Sequence, residues 1–254
     1  MPDAFYEADG EHLVPSELTR GPWDPGAQHA GPPSALVARA IERCEARPGL
    51  QVGRITLEIL RPVPLAPLTV AARVVRPGRN VELLEASLSG SDDELMRARA
   101  WRVQAGELRL DEAEEPPPGP GEGERRDFFP TGEKLGYHTA MEYRFVAGGF
   151  LELGPATVWM RARVPLLAGE EITPLQRVFV AADSGNGVSA ALDWRRFIFI
   201  NTDLTVHLLR EPSGEWVCLD AVTHVDGLGL TDTALFDERG RLGRAAQTLL
   251  VRPR

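Results

Sequence analysis

Cysteine is nearly absent from this chain: Cys44 and Cys218 are the only two in 254 residues. That number makes neither a disulfide framework nor a metal-binding cysteine cluster. Two isolated thiols read as small buried hydrophobes of a reducing compartment, so a cytoplasmic location is expected. Lysine occurs once, at Lys134, and the rest of the 28 basic residues are arginine. No apolar run approaches the roughly 18–20 residues that a membrane-spanning helix needs. The opening MPDAFYEADGEHL lacks the pattern of a signal peptide. Positive charge is also short. A formal net charge of −9 argues against general binding to nucleic acid or to an anionic membrane, though it leaves room for a local arginine patch. His138, His207 and His224 have no spacing that suggests a metal, and no metal or redox cofactor is implied.

What is present is a repeat. Around Arg61 the chain reads ITLEILRPVPLAPLTVAARVV, then VELLEASLSG and LMRARAWRV. Around Arg210 it reads TDLTVHLLREPSGEWVCLDAVTHV, then LTDTALFDERG and LGRAAQTLLV. Each copy alternates apolar and polar residues as half-buried strands do. Each is preceded by a helix candidate. The first is GPPSALVARAIERC, whose prolines at 32 and 33 fit a first helical turn. The second is TPLQRVFVAADSGNGVSAAL, apolar at first and ending in Ser184, Gly185, Asn186 and Gly187. The stretch DEAEEPPPGPGEGERRD between the copies is rich in proline, glycine and charge. The expected division is therefore 1–110 for the first repeat, 111–130 for a linker and 131–254 for the second repeat.

One long helix with a long antiparallel meander per copy predicts an α+β architecture, a helix wrapped by a curved sheet. Neither copy alone buries both its helix and its sheet edge, so the two are expected to join edges into one sheet of roughly ten strands. A β-sandwich or barrel with incidental helices is the other arrangement this pattern allows.

These residues resemble the double-hotdog acyl-CoA thioesterases, the family of bacterial acyl-CoA thioesterase II, over nearly the whole chain. QHAGPPSALVARAI resembles the family's first helix, and LEILRPVPLAPLTVAARVVRPGRNVELLEASL its first strand pair and arginine turn. VWMRARVPL, AADSGNG, FINTDLTVHLLREP and LGRAAQTLLVR resemble, in order, the tryptophan-arginine strand, the aspartate end of the second helix, the aspartate-containing strand and the final glutamine strand. The resemblance implies one active site built of aspartate, threonine or serine, and glutamine, all from the second repeat. Those positions fall on Asp183, Asn201 and Gln247. Asn201 departs from the family's hydroxyl, and Thr202 takes that place if the register slips by one.

Thioester hydrolysis needs a positioned water, an acceptor for its proton and donors for the developing oxyanion. Asp183 is the candidate base on its helix, and Asn201 and Gln247 would orient the water. Backbone N–H groups near Gly31, at the first helix start, are candidate oxyanion donors, and His29 beside them is a candidate substrate contact. CoA phosphates call for arginines at an entrance, with Arg76 and Arg79 flanking a Pro-Gly turn as candidates. Overlaying LMRARAWRV on LGRAAQTLLV sets Ala100 against Gln247, and the first helix carries no carboxylate before Glu42. One site per chain is expected. The partners expected are an acyl-CoA or other acyl thioester and further copies of the chain. Two competing functions are an enoyl-CoA hydratase, which would want a histidine close after Asp183, and a non-catalytic acyl-ligand-binding protein.

Overall fold

The computed structural model describes residues 2–91, 93–108 and 115–254. Strands β1 (Tyr6–Asp9) and β2 (His12–Pro15) form a hairpin, followed by a 3-10 turn at Glu17–Thr19 and helix α1 (Gly31–Arg43). Then come β3 (Leu50–Ile59), β4 (Thr69–Arg76), β5 (Val81–Ser89) and β6 (Glu94–Gln104). The second half runs α2 (Tyr137–Ala140), β7 (Met141–Ala147), β8 (Ala156–Ala162), α3 (Pro174–Ala182) and α4 (Gly185–Val188). It ends with β9 (Phe197–Asn201), β10 (Asp203–Leu208), β11 (Val217–Asp226), β12 (Leu228–Asp237) and β13 (Gly240–Pro253).

Among the described residues eleven strands make one antiparallel sheet, ordered β4-β5-β6-β3-β10-β13-β12-β11-β8-β7, with β9 on β13. The two copies meet where β3 pairs with β10, Thr56 opposite Thr205. About that seam the copies match: Thr56 faces Arg99 across β3 and β6, and Thr205 faces Ala246 across β10 and β13, so Arg99 and Ala246 correspond and so do the next residues along. Ala100 and Gln247 therefore occupy equivalent places, as the overlay of the two sequences predicts.

The inner face of the sheet is the period-2 set of each strand. Leu84, Ala86 and Leu88 of β5 are buried, as are Ile55 and Leu57 of β3 and Leu204 and Val206 of β10. Against them lie the two helices, antiparallel to each other. The start of α1 touches the end of α3, where a Cβ on Gly31 would meet the Val180 carbonyl oxygen at 2.3 Å. At the other end Glu42 of α1 accepts from Thr173 Oγ1 and from Gln176 Nε2 at the start of α3. Helix α3 begins with a capping box: Gln176 N donates to Thr173 Oγ1 and Thr173 N donates to Gln176 Oε1.

A single long helix per repeat does not describe the second copy. Helix α3 has 9 residues against 13 for α1. Ser184 N turns back to the Ala181 carbonyl, a tightened last turn, and α4 resumes at Gly185. The break falls at Asp183-Ser184, just before the glycine-rich run Gly185-Asn186-Gly187, whose poor helix propensity does little to hold the two pieces as one helix. The linker, of which 111–114 lie outside the described residues, packs against the second half. Trp159 Nε1 donates to the Pro118 carbonyl, and Glu124 bridges Phe145 along the outer strand β7.

Candidate active site

The break between α3 and α4 turns the end of α3 toward the start of α1. Asp183, the C-cap of α3, is 5% exposed and sits between two side chains. Asn201 Nδ2 donates to its Oδ1 at 2.8 Å. His29 Nδ1 lies 3.1 Å from its Oδ2. Asn201 is delivered by the kink where β9 ends and β10 begins, with Thr202 N bonded to the Thr248 carbonyl. The kink turns Asn201, and not Thr202, toward Asp183; the Thr202 hydroxyl donates outward to the Thr248 carbonyl at 3.4 Å.

His29 precedes α1 and is held from two sides. Its ring stacks on Tyr137 with centroids 3.7 Å apart and planes 9° from parallel. The Tyr137 hydroxyl donates to the Val180 carbonyl and lies 2.9 Å from Ser184 Oγ, tying the stack to the end of α3. Burial lowers the His29 pKa below its ordinary value, with the Asp183 carboxylate opposing the shift. Gly31 N donates to the same Nδ1 at 3.1 Å. Pro32 and Pro33 carry no N–H and Ser34 N is bonded to Ala30, so Gly31 is the donor that this helix start presents.

Gln247, expected to orient a water, lies against the backbone of the helix break. It is 1% exposed, and both ends of its amide are engaged by backbone. Its Nε2 donates to the Asp183 carbonyl, and its Oε1 accepts from Asn186 N. It clamps the helix break that aims Asp183. Gly185 is needed beside it, because a Cβ there would sit 2.9 Å from Gln247 Oε1.

Asp183, Asn201, His29 and Asn186 open on a cavity of about 480 Å³. Its apolar wall includes Ile59, Val63, Ile198 and Leu250, and Arg61, Arg252 and Arg254 stand on its lining. Arg79 does not line it, and neither does Arg76; Arg76 ends β4 and Arg79 lies in the turn to β5. Sequence reasoning missed Tyr137, Asn186, Trp23 and the arginines of the lining. Of these, Arg61 lay in a repeated stretch, Leu-Arg-Pro against Leu-Arg-Glu-Pro, where its counterpart is Arg210. Among the described residues no three His, Cys, Asp or Glu side chains converge as metal ligands.

The opposite end of the helix pair repeats the arrangement with other residues. A cavity of about 380 Å³ there is lined by Glu42 from the end of α1, Pro174 from the start of α3, and Glu211 and Pro212. Glu42 is hydrogen-bonded to Thr173 and Gln176, and no histidine lines this cavity. Arg102 nearby is locked to buried Glu82.

Family models match both halves: an acyl-CoA thioesterase N-terminal domain over residues 19–103 and an acyl-CoA thioesterase C-terminal domain over 109–251. A search of curated proteins found no match. Solved structures with a similar fold include a protein from Thermobifida fusca YX assigned as a thioesterase II, with TM-score 0.75, 17% identity, and 97% of this chain and 96% of that one covered. Another is a conserved hot dog fold protein of unknown function from Alicyclobacillus acidocaldarius, with TM-score 0.74, 17% identity and coverage of 99% and 97%. An acyl-CoA thioesterase II, TesB2, from Mycobacterium marinum aligns with TM-score 0.63 at 17% identity over 89% and 90%. At these identities the likeness establishes the hotdog fold.

Proposed function

The chain belongs to the acyl-CoA thioesterase family and is a thioester hydrolase; from that premise we propose that it hydrolyses acyl-CoA at the junction of His29, Asp183 and Asn201. The observation that carries the reading is the buried Asp183 carboxylate held between Asn201 Nδ2 and His29 Nδ1 at a cavity wall.

In this reading the Asp183 carboxylate takes a proton from a water as the water oxygen attacks the thioester carbonyl carbon. The carbonyl oxygen, gaining negative charge, is met by the Gly31 N–H at the positive end of α1. Collapse breaks the C–S bond, and the proton held by Asp183 leaves with the thiolate sulfur. Asn201 fixes the carboxylate plane, and Gln247 fixes the backbone from which it projects. His29 decides whether Gly31 is free to act. An Nδ1 that carries a proton donates to Asp183 and leaves the Gly31 N–H available; a bare Nδ1 accepts it.

The test is free-thiol release from short, medium, long and aromatic acyl-CoAs by wild type and by Asp183→Asn. Asparagine keeps the shape and can accept from Asn201 while donating to His29, so the variant should fold. We expect kcat/KM to fall by roughly 10²–10⁴-fold. Equal rates in a folded variant would remove Asp183 from the mechanism.

A further inference from the structure

A second cavity, of about 380 Å³, adjoins the catalytic one and shares Pro22, Trp23 and Arg254 with it. Its other lining residues are Phe129, Pro130, Thr131, Trp194 and Arg195. Its chemistry differs from that of its neighbour. Phe129 lies between two indoles, 5.9 Å from Trp23 at 30° and 5.4 Å from Trp194 at 33°. Arg254 lies over the Trp23 ring and Arg195 over the Trp194 ring, at 5.7 and 5.2 Å. Arg254 Nε also donates to the Trp194 carbonyl, which ties the end of β13 across the cavity mouth.

The charges there are uncompensated. Arg195 and Arg254, which line it, have no carboxylate partner among the described residues, whereas Arg39, Arg43, Arg73, Arg99 and Arg161 each do. In a chain of net charge −9, guanidiniums left open beside a catalytic cavity mark a place for an anion. Flat aromatic and guanidinium surfaces stack nucleobases, and the same guanidiniums take phosphate oxygens two at a time. We infer that this second cavity holds the nucleotide end of the thioester substrate, the base against Trp23 and Trp194 and the phosphates on Arg195 and Arg254. The acyl-pantetheine arm then crosses the shared wall at Trp23 and Arg254 to reach Asp183. This inference rests on the thioesterase reading of the adjoining cavity.

Two thioesters of the same acyl group separate the subsite from the chemistry: acyl-CoA, and acyl-N-acetylcysteamine, which has neither base nor phosphate. The variants are Arg195→Glu, at an exposed residue that lines only the second cavity, and separately Trp194→Leu. The expected result is a KM for acyl-CoA raised at least tenfold, an unchanged kcat, and unchanged hydrolysis of the N-acetylcysteamine ester. A KM raised for both esters would place the acyl tail in this cavity and overturn the inference; so would a KM raised for neither. Adenosine 3′,5′-bisphosphate, read by tryptophan fluorescence, tests the subsite without turnover. If wild type released thiol from neither ester, the hydrolytic reading would fail. Binding of the bisphosphate by wild type and its loss in Arg195→Glu would still establish the subsite; no binding by wild type would overturn it.

Discussion

His29 Nδ1 lies 3.1 Å from Asp183 Oδ2, and that nitrogen also accepts the Gly31 N–H at 3.1 Å. One ring nitrogen thus stands between a carboxylate and a helix start, and it can serve only one of them in each protonation state. The position of a single proton decides whether the helix start faces inward on the ring or outward on a substrate.

Acid sensitivity follows from burial of that ring. Burial holds the His29 pKa below the ordinary 6.5, so the fold keeps the neutral form where the unfolded chain protonates. As pH falls below about 6.5 the unfolded state binds the extra proton, and stability drops until the lowered folded value is reached. His138 is shifted the same way by burial, so the wild type must be compared with His29→Gln. Urea midpoints at about pH 7.5 and about pH 5.5 should differ more for wild type than for the variant; equal differences would mean that His29 protonates freely in the fold.

Gly31→Ala should hurt both fold and activity. The added Cβ would press on the Val180 carbonyl oxygen from 2.3 Å, and backbone on both sides must move to relieve it. Overpacking of this kind costs about 2 kcal/mol or more. For a chain of this size that is a fall of roughly 4–8 °C in Tm, measurable by calorimetry.

Asn201 is a donor to a buried carboxylate, and its replacement can separate donor from shape. Asn201→Ala leaves Asp183 Oδ1 without its 2.8 Å partner and should lower kcat by roughly 10–100-fold, as losing a hydrogen bond to a charged group does. Asn201→Thr supplies a hydroxyl donor and should recover most of that loss. A threonine variant as slow as the alanine variant would show that the amide geometry itself is required.

Glu42 is the control. It occupies the end of the helix pair opposite Asp183, saturated by Thr173 and Gln176, and burial pushes its pKa up. Glu42→Gln should leave thiol release at the wild-type rate. The raised pKa means that stability owed to the protonated Glu42 is full below the ordinary carboxylate value and lost as pH rises through the folded one. The variant should therefore gain on wild type between acidic and neutral pH, by about 1 kcal/mol at most.

The two strand meanders were readable because inward residues alternate along much of their length, most regularly in β5. The Ala100–Gln247 equivalence was readable because the repeat carries it. Helix starts announced themselves through Pro32-Pro33 and Thr173-Pro174. The meeting of His29 with Asp183 was not readable, since it depends on antiparallel packing of two helices far apart in sequence. The role of Gln247 was hidden for a related reason: a glutamine in an apolar strand signals a need for partners, not which partners. Entrance arginines were beyond sequence reasoning too. With 28 basic residues the composition does not discriminate, and Arg252 and Arg254 gain their place only when β13 is laid beside β9.

The seam between the halves also sets a timetable for synthesis. Thr56 and Thr205 touch through their hydroxyls across 149 residues of chain. At a ribosomal pace of ~5–20 residues per second, β10 emerges roughly 7–30 s after β3. During that interval β3 carries a bare row of backbone donors and acceptors on the side that β10 will cover. Nascent first halves on neighbouring ribosomes of one message present the same unpaired strand to each other. Crowding on the polysome therefore competes with completion of the chain for that edge, and slower elongation after residue 104 lengthens the exposure.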